Sequence, residues 1–222
     1  MISLAVLDMA GTTVRDDGIV EASFLDALDR VGLDRHAPRV ETDLAFVRET
    51  MGQSKIVVFR ALLGSEELAL AANAAFEAAF ATRVEAGGIA PIEGAEAAFE
   101  RLRGHGIRIC LTTGFADETR ELLIDRLGWR DRIDLSLSPG GIYRGRPHPD
   151  LALWALIRLG VDDVAELAVA GDTTSDLIAG TRAGASVVAG VLTGAHDEAT
   201  LASAPHTHLI ASIAALPAIC GA

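Results

Sequence analysis

The sequence predicts an α/β fold: a doubly wound parallel sheet interrupted after its first strand by an all-helical insertion. Three observations carry this. Short apolar runs closed by polar or glycine turns recur along the chain, as at 4–8, 107–112 and 167–172. From about residue 93 they alternate with helical stretches, the pattern of a parallel sheet covered by helices. Between about 15 and 88 the spacing is almost wholly helical. A chain of 222 residues has room for one domain with an insertion, or for two small domains.

The first element sets the rest. Leu4-Ala5-Val6-Leu7 runs directly into Asp8, and Gly11-Thr12-Thr13 makes a turn. An apolar run this short reads as a strand buried on both faces. Asp8 therefore closes a strand at the sheet edge where open α/β folds bind ligands. Taken alone, the stretch suits a turn-capping aspartate as well as a reactive one. Residues 14–20 read as a polar link. Ala22–Val31 has helical spacing, with Gly32 placed to end it. Further helices are predicted near 41–49, 54–63 and 65–85, and Gly87-Gly88-Ile89-Ala90-Pro91 reads as a flexible link. Helix 93–103, strand 107–112, helix 117–127 and strand 134–138 follow. Then come helix 149–159, strand 166–172, helix 174–183, strand 186–192, an edge strand at 208–211 and a terminal helix near 212–218.

Composition narrows the functional classes. The net charge of −12 argues against nucleic acid and anionic membrane surfaces as partners. No charge-free run is long enough to span a bilayer, and the N-terminus lacks a signal peptide's basic region. A cytoplasmic protein is the expectation. Cys110 and Cys220 sit in apolar contexts and read as buried thiols. Of the 19 basic residues only Lys55 is a lysine. Biased codon usage would account for that, but an amine can be neutral and nucleophilic where a guanidinium cannot.

Several strand ends carry polar groups. Asp8 closes the first strand, Thr112 the second and Asp172 a later one, with Asp176 one helical turn beyond. Arg146 stands in the loop before a helix. Carboxylates gathered at one sheet edge repel, and a hard cation such as Mg²⁺ would neutralise them. A carboxylate can attack phosphorus, while a cation and oriented donors hold the transferred group. Thr112 and the backbone around Gly11 and Thr12 are candidate phosphoryl donors. Arg146 is placed to pair with both Asp8 and the phosphoryl group.

The set Asp8-Met9-Ala10-Gly11-Thr12-Thr13, Leu111-Thr112-Thr113-Gly114, Arg146-Pro147 and Gly171-Asp172-Thr173-Thr174-Ser175-Asp176 resembles the haloacid dehalogenase superfamily over nearly the whole chain. The resemblance implies a Rossmann-like core at 1–14 and 89–222 and a helical cap at 15–88. It implies Asp8 as nucleophile and Mg²⁺ on Asp8, the Ala10 carbonyl and Asp172, with Asp176 farther out or acting through water. It implies phosphate binding by Gly11, Thr12, Thr112, Thr113, Gly114 and Arg146. It also implies cap closure hinged at 14–20 and Gly87-Gly88, and is compatible with a homodimer through the cap.

Two substitutions separate this chain from the superfamily's common pattern. Ala10 stands where an aspartate protonates the leaving alkoxide, and Arg146 where a lysine is usual. Ala10 has no proton to give, so a simple ester would leave slowly. Met51-Gly52-Gln53-Ser54-Lys55, together with the Asp8 motif, is similar to the phosphonatase branch, the phosphonoacetaldehyde hydrolases. There the lysine forms an imine with the substrate carbonyl and the carbon leaves as an enamine. That reaction needs the amine neutral part of the time, so burial is expected to lower its pKa. Val58 and Phe115 stand where that branch carries histidine and tyrosine. The reading is a Mg²⁺-dependent hydrolase of a 2-oxoalkyl phosphonate, with Asp8, Lys55 and Arg146 catalytic. A phosphatase of a small phosphate ester or acyl phosphate is the alternative, and a ligand sensor without turnover a third.

The remaining residues read as structural. Lys55 itself would be an ordinary surface lysine in the bland account. His148 reads as a loop histidine, and His206 and His208 as surface residues. Asp16-Asp17 and Asp162-Asp163 read as solvated turn charges, Met9 and Met51 as pocket packing, and Trp129 and Trp154 as core anchors.

Overall fold

Alternation along the first strand explains the sheet. The computed structural model describes residues 1–15 and 17–222; Asp16 lies outside them. The strands are β1 (Leu4–Asp8), β2 (Val14–Arg15), β3 (Ala90–Pro91), β4 (Arg108–Thr112), β5 (Leu135–Leu137), β6 (Leu167–Gly171), β7 (Val187–Val191) and β8 (His208–Ile210). In β1, Ala5 and Leu7 pack on one side, while Leu4 and Val6 join a separate cluster on the other. Side chains alternate across a strand, so an unbroken apolar run is what a doubly covered strand requires.

The helices are α1 (Ile19–Arg30), α2 (Arg39–Glu49), α3 (Lys55–Leu63), α4 (Glu66–Glu85), α5 (Ala95–Gly104), α6 (Asp117–Leu127), α7 (Asp150–Arg158), α8 (Thr174–Ala183), α9 (Glu198–Ala202) and α10 (Leu216–Ile219). Phe99 and Leu102 of α5, with Leu216 of α10, cover one face of the sheet. Ala152, Ala155 and Leu156 of α7 cover the other. The main sheet runs β5-β4-β1-β6-β7-β8, all parallel. The chain winds outward in opposite directions on the two sides of β1, which makes the end of β1 a topological switch point. Register sets Asp8 beside Thr112, and Leu7 beside Ala170.

Helices α1 to α4 form the expected helical block. Its core is aromatic: Phe24 lies 4.7 Å from Phe59 and 4.9 Å from Phe76 between ring centroids. This core is continuous with that of the sheet in one apolar cluster, and Phe115 after β4 packs on Phe76 and Phe80 of α4.

Two stretches read as links contain paired backbone. Val14 pairs with Pro91 and Arg15 with Ala90 in an antiparallel ribbon at the entrance and exit of the block. Two-residue strands show no periodicity that a sequence could reveal. Helix α9 is also absent from the sequence reading; Asp197 opens it by accepting a hydrogen bond from Thr200 N–H at 2.8 Å.

Trp129 is fully buried, as expected of an anchor. Trp154 is not: it is half-buried and stacks on Tyr143 at 4.7 Å. Position on α7 explains this, since Leu151, Ala152, Ala155 and Leu156 make that helix's buried stripe. Both cysteines are buried free thiols, and burial raises their pKa, that of Cys220 to about 11. Among the described residues no helix is long and apolar enough to cross a membrane.

Candidate active site

Asp8 is 5 % exposed at the end of β1, and the turn after it brings three chain segments together. Gly11 has φ +87°, and a side chain there would collide with the Asp172 carboxylate. Only glycine suits both demands. Thr13 Oγ1 donates to the Asp8 carbonyl at 2.8 Å, and Thr12 Oγ1 to Asp172 Oδ1 at 3.1 Å. The second Asp172 oxygen accepts from Ala195 N–H at 2.7 Å.

Arg146, 7 % exposed, reaches across the sheet edge. Its Nη1 lies 2.5 Å from Asp8 Oδ1 and also pairs with Asp176 Oδ1. Its Nε is buried with no hydrogen-bond partner among the described residues. The expected pairing of Arg146 with Asp8 is thus present, with Asp176 added.

Electrostatics follow from burial and crowding. Burial pushes the Asp8 carboxyl well above its ordinary range; Arg146 opposes this, and Asp176 and Asp172 add to it. Burial, then Asp176, push Asp172 up to about 6, against the Ala195 N–H and the Thr12 hydroxyl. Burial also works against the Arg146 charge, but Asp176 and Asp8 outweigh it and hold the guanidinium above its usual value.

A carboxyl raised in the native state stabilises the fold below its unfolded pKa, and that contribution disappears as pH rises through the folded value. Protein free of divalent cations should therefore lose Tm as pH rises through about 6, where the Asp172 carboxyl ionises. Asp172→Asn should flatten that slope. Thermal melts across this window check both; a wild-type Tm that rises instead would contradict the assignment.

Several residues expected at the site are engaged in local hydrogen bonds. The Gly11 N–H donates to Val14 O at 2.7 Å and the Thr12 N–H to Met9 O at 3.2 Å, so the turn already uses the donors expected to hold a phosphoryl group. The Thr12 hydroxyl serves Asp172. Asp176, expected farther out from the metal or acting through water, has both oxygens engaged: one with Arg146, the other with Thr173 N–H at 3.1 Å and Thr173 Oγ1 at 2.5 Å. These last bonds form the capping box of α8, which explains why the side chain turns inward. Among the described residues no group of three or more His, Cys, Asp or Glu is arranged to hold a metal ion. A cation here would rest on two carboxylates, a carbonyl and water.

Lys55 is not a surface lysine. It is 5 % exposed at the start of α3. Its Nζ lies 5.4 Å from the Phe115 ring centroid, 5.6 Å from Phe24 and 5.9 Å from Phe76. Its backbone N–H donates to Gly114 O at 3.3 Å. Asp8, Ala10, Lys55, Thr113, Gly114, Arg146 and Asp172 all line one cavity of about 1190 Å³. Thr112 is buried beside Asp8 in the sheet and does not line it. Val58 is buried in the main apolar core, and Met51 lines the cavity. His148 lies in a separate cleft of about 280 Å³. His206 and His208 hydrogen-bond locally, His206 to Ala204 O at 2.8 Å.

The block meets the sheet half at two close approaches. Gly52 has φ +82°, and a methyl group there would sit 2.5 Å from Thr173 Oγ1. A side chain on Gly114 would strike the Gln53 carbonyl. Gly52→Ala should displace the loop before Lys55 and reduce kcat/KM by about tenfold or more, since ångström misplacement has that scale. Steady-state kinetics with a Tm control tests this; wild-type kcat/KM in the variant would refute it.

The sequence reading missed the loop after β7. Thr193 Oγ1 donates to Gly11 O at 2.7 Å, and Gly194 allows close approach to Asp172. His196 N–H donates to Asp172 O at 3.3 Å, and its ring lies 3.3 Å from Arg48 O. The available signal was positional: Thr193-Gly194 follows a parallel strand whose end adjoins Asp172.

Comparison with known proteins yields a consistent picture. A family model described as haloacid dehalogenase-like hydrolase matches residues 2–184. The chain is 29% identical over 209 residues to "Probable phosphatase IndB" of Dickeya dadantii, covering 92% of this chain and 87% of that protein. It is 29% identical over 225 residues to a phosphonoacetaldehyde hydrolase of Bacteroides fragilis, covering 92% and 81%. A phosphonoacetaldehyde hydrolase-like protein from Oleispira antarctica has a similar fold, with TM-score 0.84 at 21% identity, over 99% of this chain and 91% of that one.

Proposed function

The chain belongs to the haloacid dehalogenase-like hydrolase family, and from that membership we propose that it cleaves the carbon–phosphorus bond of phosphonoacetaldehyde or a related 2-oxoalkyl phosphonate. The observation that carries the reading is the pairing of a buried amine with a buried carboxylate in one cavity: Lys55 and Asp8. In this reading residues 1–14 and 89–222 are the catalytic core and 15–88 the cap.

The chemistry divides between the two groups. The Lys55 amine adds to the substrate carbonyl and water departs, leaving a protonated imine. Asp8 Oδ attacks phosphorus. The electron pair of the breaking carbon–phosphorus bond moves through carbon to the iminium nitrogen, giving an enamine and an aspartyl phosphate. Protonation at carbon and addition of water release the aldehyde and restore the amine. A second water frees phosphate from Asp8. No alkoxide departs, so Ala10 is no handicap. Arg146 supplies fixed positive charge beside the phosphoryl group. Gly11, Thr113 and Gly114 line the same cavity and are the candidate phosphoryl contacts there.

The donor set suits Mg²⁺. Hard oxygens are what the ion takes, and the Asp172 charge helps raise the pKa of Asp8 beside it. Asp8, the Ala10 carbonyl and Asp172 would hold it, and Asp176 would act only behind them through Arg146 and Thr173. When bound, the ion lowers the repulsion between carboxylate and phosphoryl anion.

A second reading is favoured by the apolar Val58 and Phe115 and by the phosphatase-named relative: hydrolysis of an acyl phosphate, whose carboxylate leaving group likewise needs no proton. Phosphate release from phosphonoacetaldehyde, acetyl phosphate and p-nitrophenyl phosphate, with and without Mg²⁺, separates the two. The proposal expects the phosphonate to be the best substrate by kcat/KM. Turnover of acetyl phosphate alone would favour the second reading.

A further inference from the structure

We propose that Glu77 is a positioning residue, a clamp from the cap that fixes two of the three aromatic walls around Lys55. Glu77 lies on α4, directly after Phe76. Its Oε1 accepts the Ala116 N–H at 3.2 Å, and its Oε2 accepts the Thr119 hydroxyl. Ala116 directly follows Phe115. The bonded pair therefore sits one residue beyond each of two rings that face Nζ, Phe76 at 5.9 Å and Phe115 at 5.4 Å.

The rings confirm the docking. Phe76 and Phe115 stack with centroids 6.1 Å apart, and Phe80, a turn further along α4, lies 4.5 Å from Phe115. Helix α6 opens at Ala116 with no side-chain cap of its own. An opening turn has unpaired N–H groups, and a local Ser, Thr, Asp or Asn normally accepts from one. Here the acceptor comes from the helical block, so α6 and α4 share one hydrogen-bonded seam. Shifting α4 off this seam would part Phe76 from Phe115 and open the chamber that holds the amine.

The surroundings of Glu77 suit the task. Burial raises its carboxyl, opposed by the Thr119 hydroxyl, the Ala116 N–H and the charge of Lys55, while Glu118 on α6 adds to the rise. A half-buried acceptor is costly to leave unpaired, so the clamp favours the docked arrangement.

This inference rests on the reading of Lys55 as the reacting amine, and its test separates the two. Lys55 is the sole lysine, so reductive methylation with formaldehyde and cyanoborohydride, read by peptide mass spectrometry, reports its accessibility without any turnover. Glu77→Ala should raise the Lys55 methylation rate about tenfold and lower kcat/KM for phosphonoacetaldehyde by a similar factor, the scale of losing a charge-assisted hydrogen bond. Glu77→Gln keeps an acceptor for Ala116 and should restore both toward wild type. A change in Tm alone, with methylation and kcat/KM unmoved, would overturn the clamp. So would a glutamine variant no better than alanine. If Glu77→Ala does not fold, Thr119→Val removes one partner and should raise methylation in the same direction; unchanged methylation would refute the proposal. Wild-type protein that forms no borohydride-trapped adduct, yet still shows Glu77-dependent methylation, would end the carbon–phosphorus reading and leave the clamp standing.

Discussion

Asp8→Asn is expected to reduce phosphate release by about 10⁴-fold or more, the scale of deleting a covalent nucleophile. The substitution keeps the shape of the side chain and removes its charge. Folding should survive it. Asp8 is buried at the end of β1, where burial already disfavours its ionised form, and Arg146 retains Asp176 as an ionic partner. The variant should therefore melt at or above the wild-type temperature while losing turnover of phosphonates and phosphates alike. Activity against every substrate is the informative point, because both chemical readings pass through the same carboxylate. A variant retaining more than about one part in a hundred of wild-type kcat would move the nucleophile elsewhere.

Lys55→Arg should separate the two readings. Arginine preserves the positive charge but cannot be deprotonated to attack a carbonyl. Cleavage of phosphonoacetaldehyde should fall on the order of 10³-fold or more, as expected for a lost covalent group. Acetyl phosphate hydrolysis, which asks nothing of an imine, should persist. Borohydride added with phosphonoacetaldehyde should trap an adduct on Lys55 in the wild type and none in the variant. The site is tight, with three phenylalanine rings within 6 Å of Nζ, so the larger guanidinium could shift the rings. Lys55→Met provides the smaller control, and both variants need a melting curve. Equal loss on both substrates would point to a collapsed pocket, and full phosphonate turnover in Lys55→Arg would sink the amine's covalent role.

The sheet and the helical block were legible because their signals are long and periodic. The run ending in Asp8 announced a doubly covered strand, and the alternation after residue 93 announced parallel topology. Asp8, Thr112 and Asp172 were placed together because strand ends share an edge in such a sheet. Orientation was not legible. Asp176 turns into its own helix cap, and the hydroxyl of Thr12 goes to Asp172; a motif fixes position along the chain, but side-chain partners come from distant segments. Thr193 and Gly194 reach the site from a loop with no chemistry of its own. Glu77 escaped notice for the same reason: its partners, Ala116 and Thr119, lie 39 and 42 residues away.

The ribbon of β2 and β3 makes the insertion a module with a narrow doorway. Val14 and Pro91 face each other, so the chain departs and returns at adjacent points. A different insert with equally close ends would fit the same gate without disturbing the order of the main strands. What it could not inherit is the shared greasy seam where Phe115 meets Phe76 and Phe80. Any transplanted lid must therefore bring its own apolar underside, and with it a new choice of what molecule fits beneath.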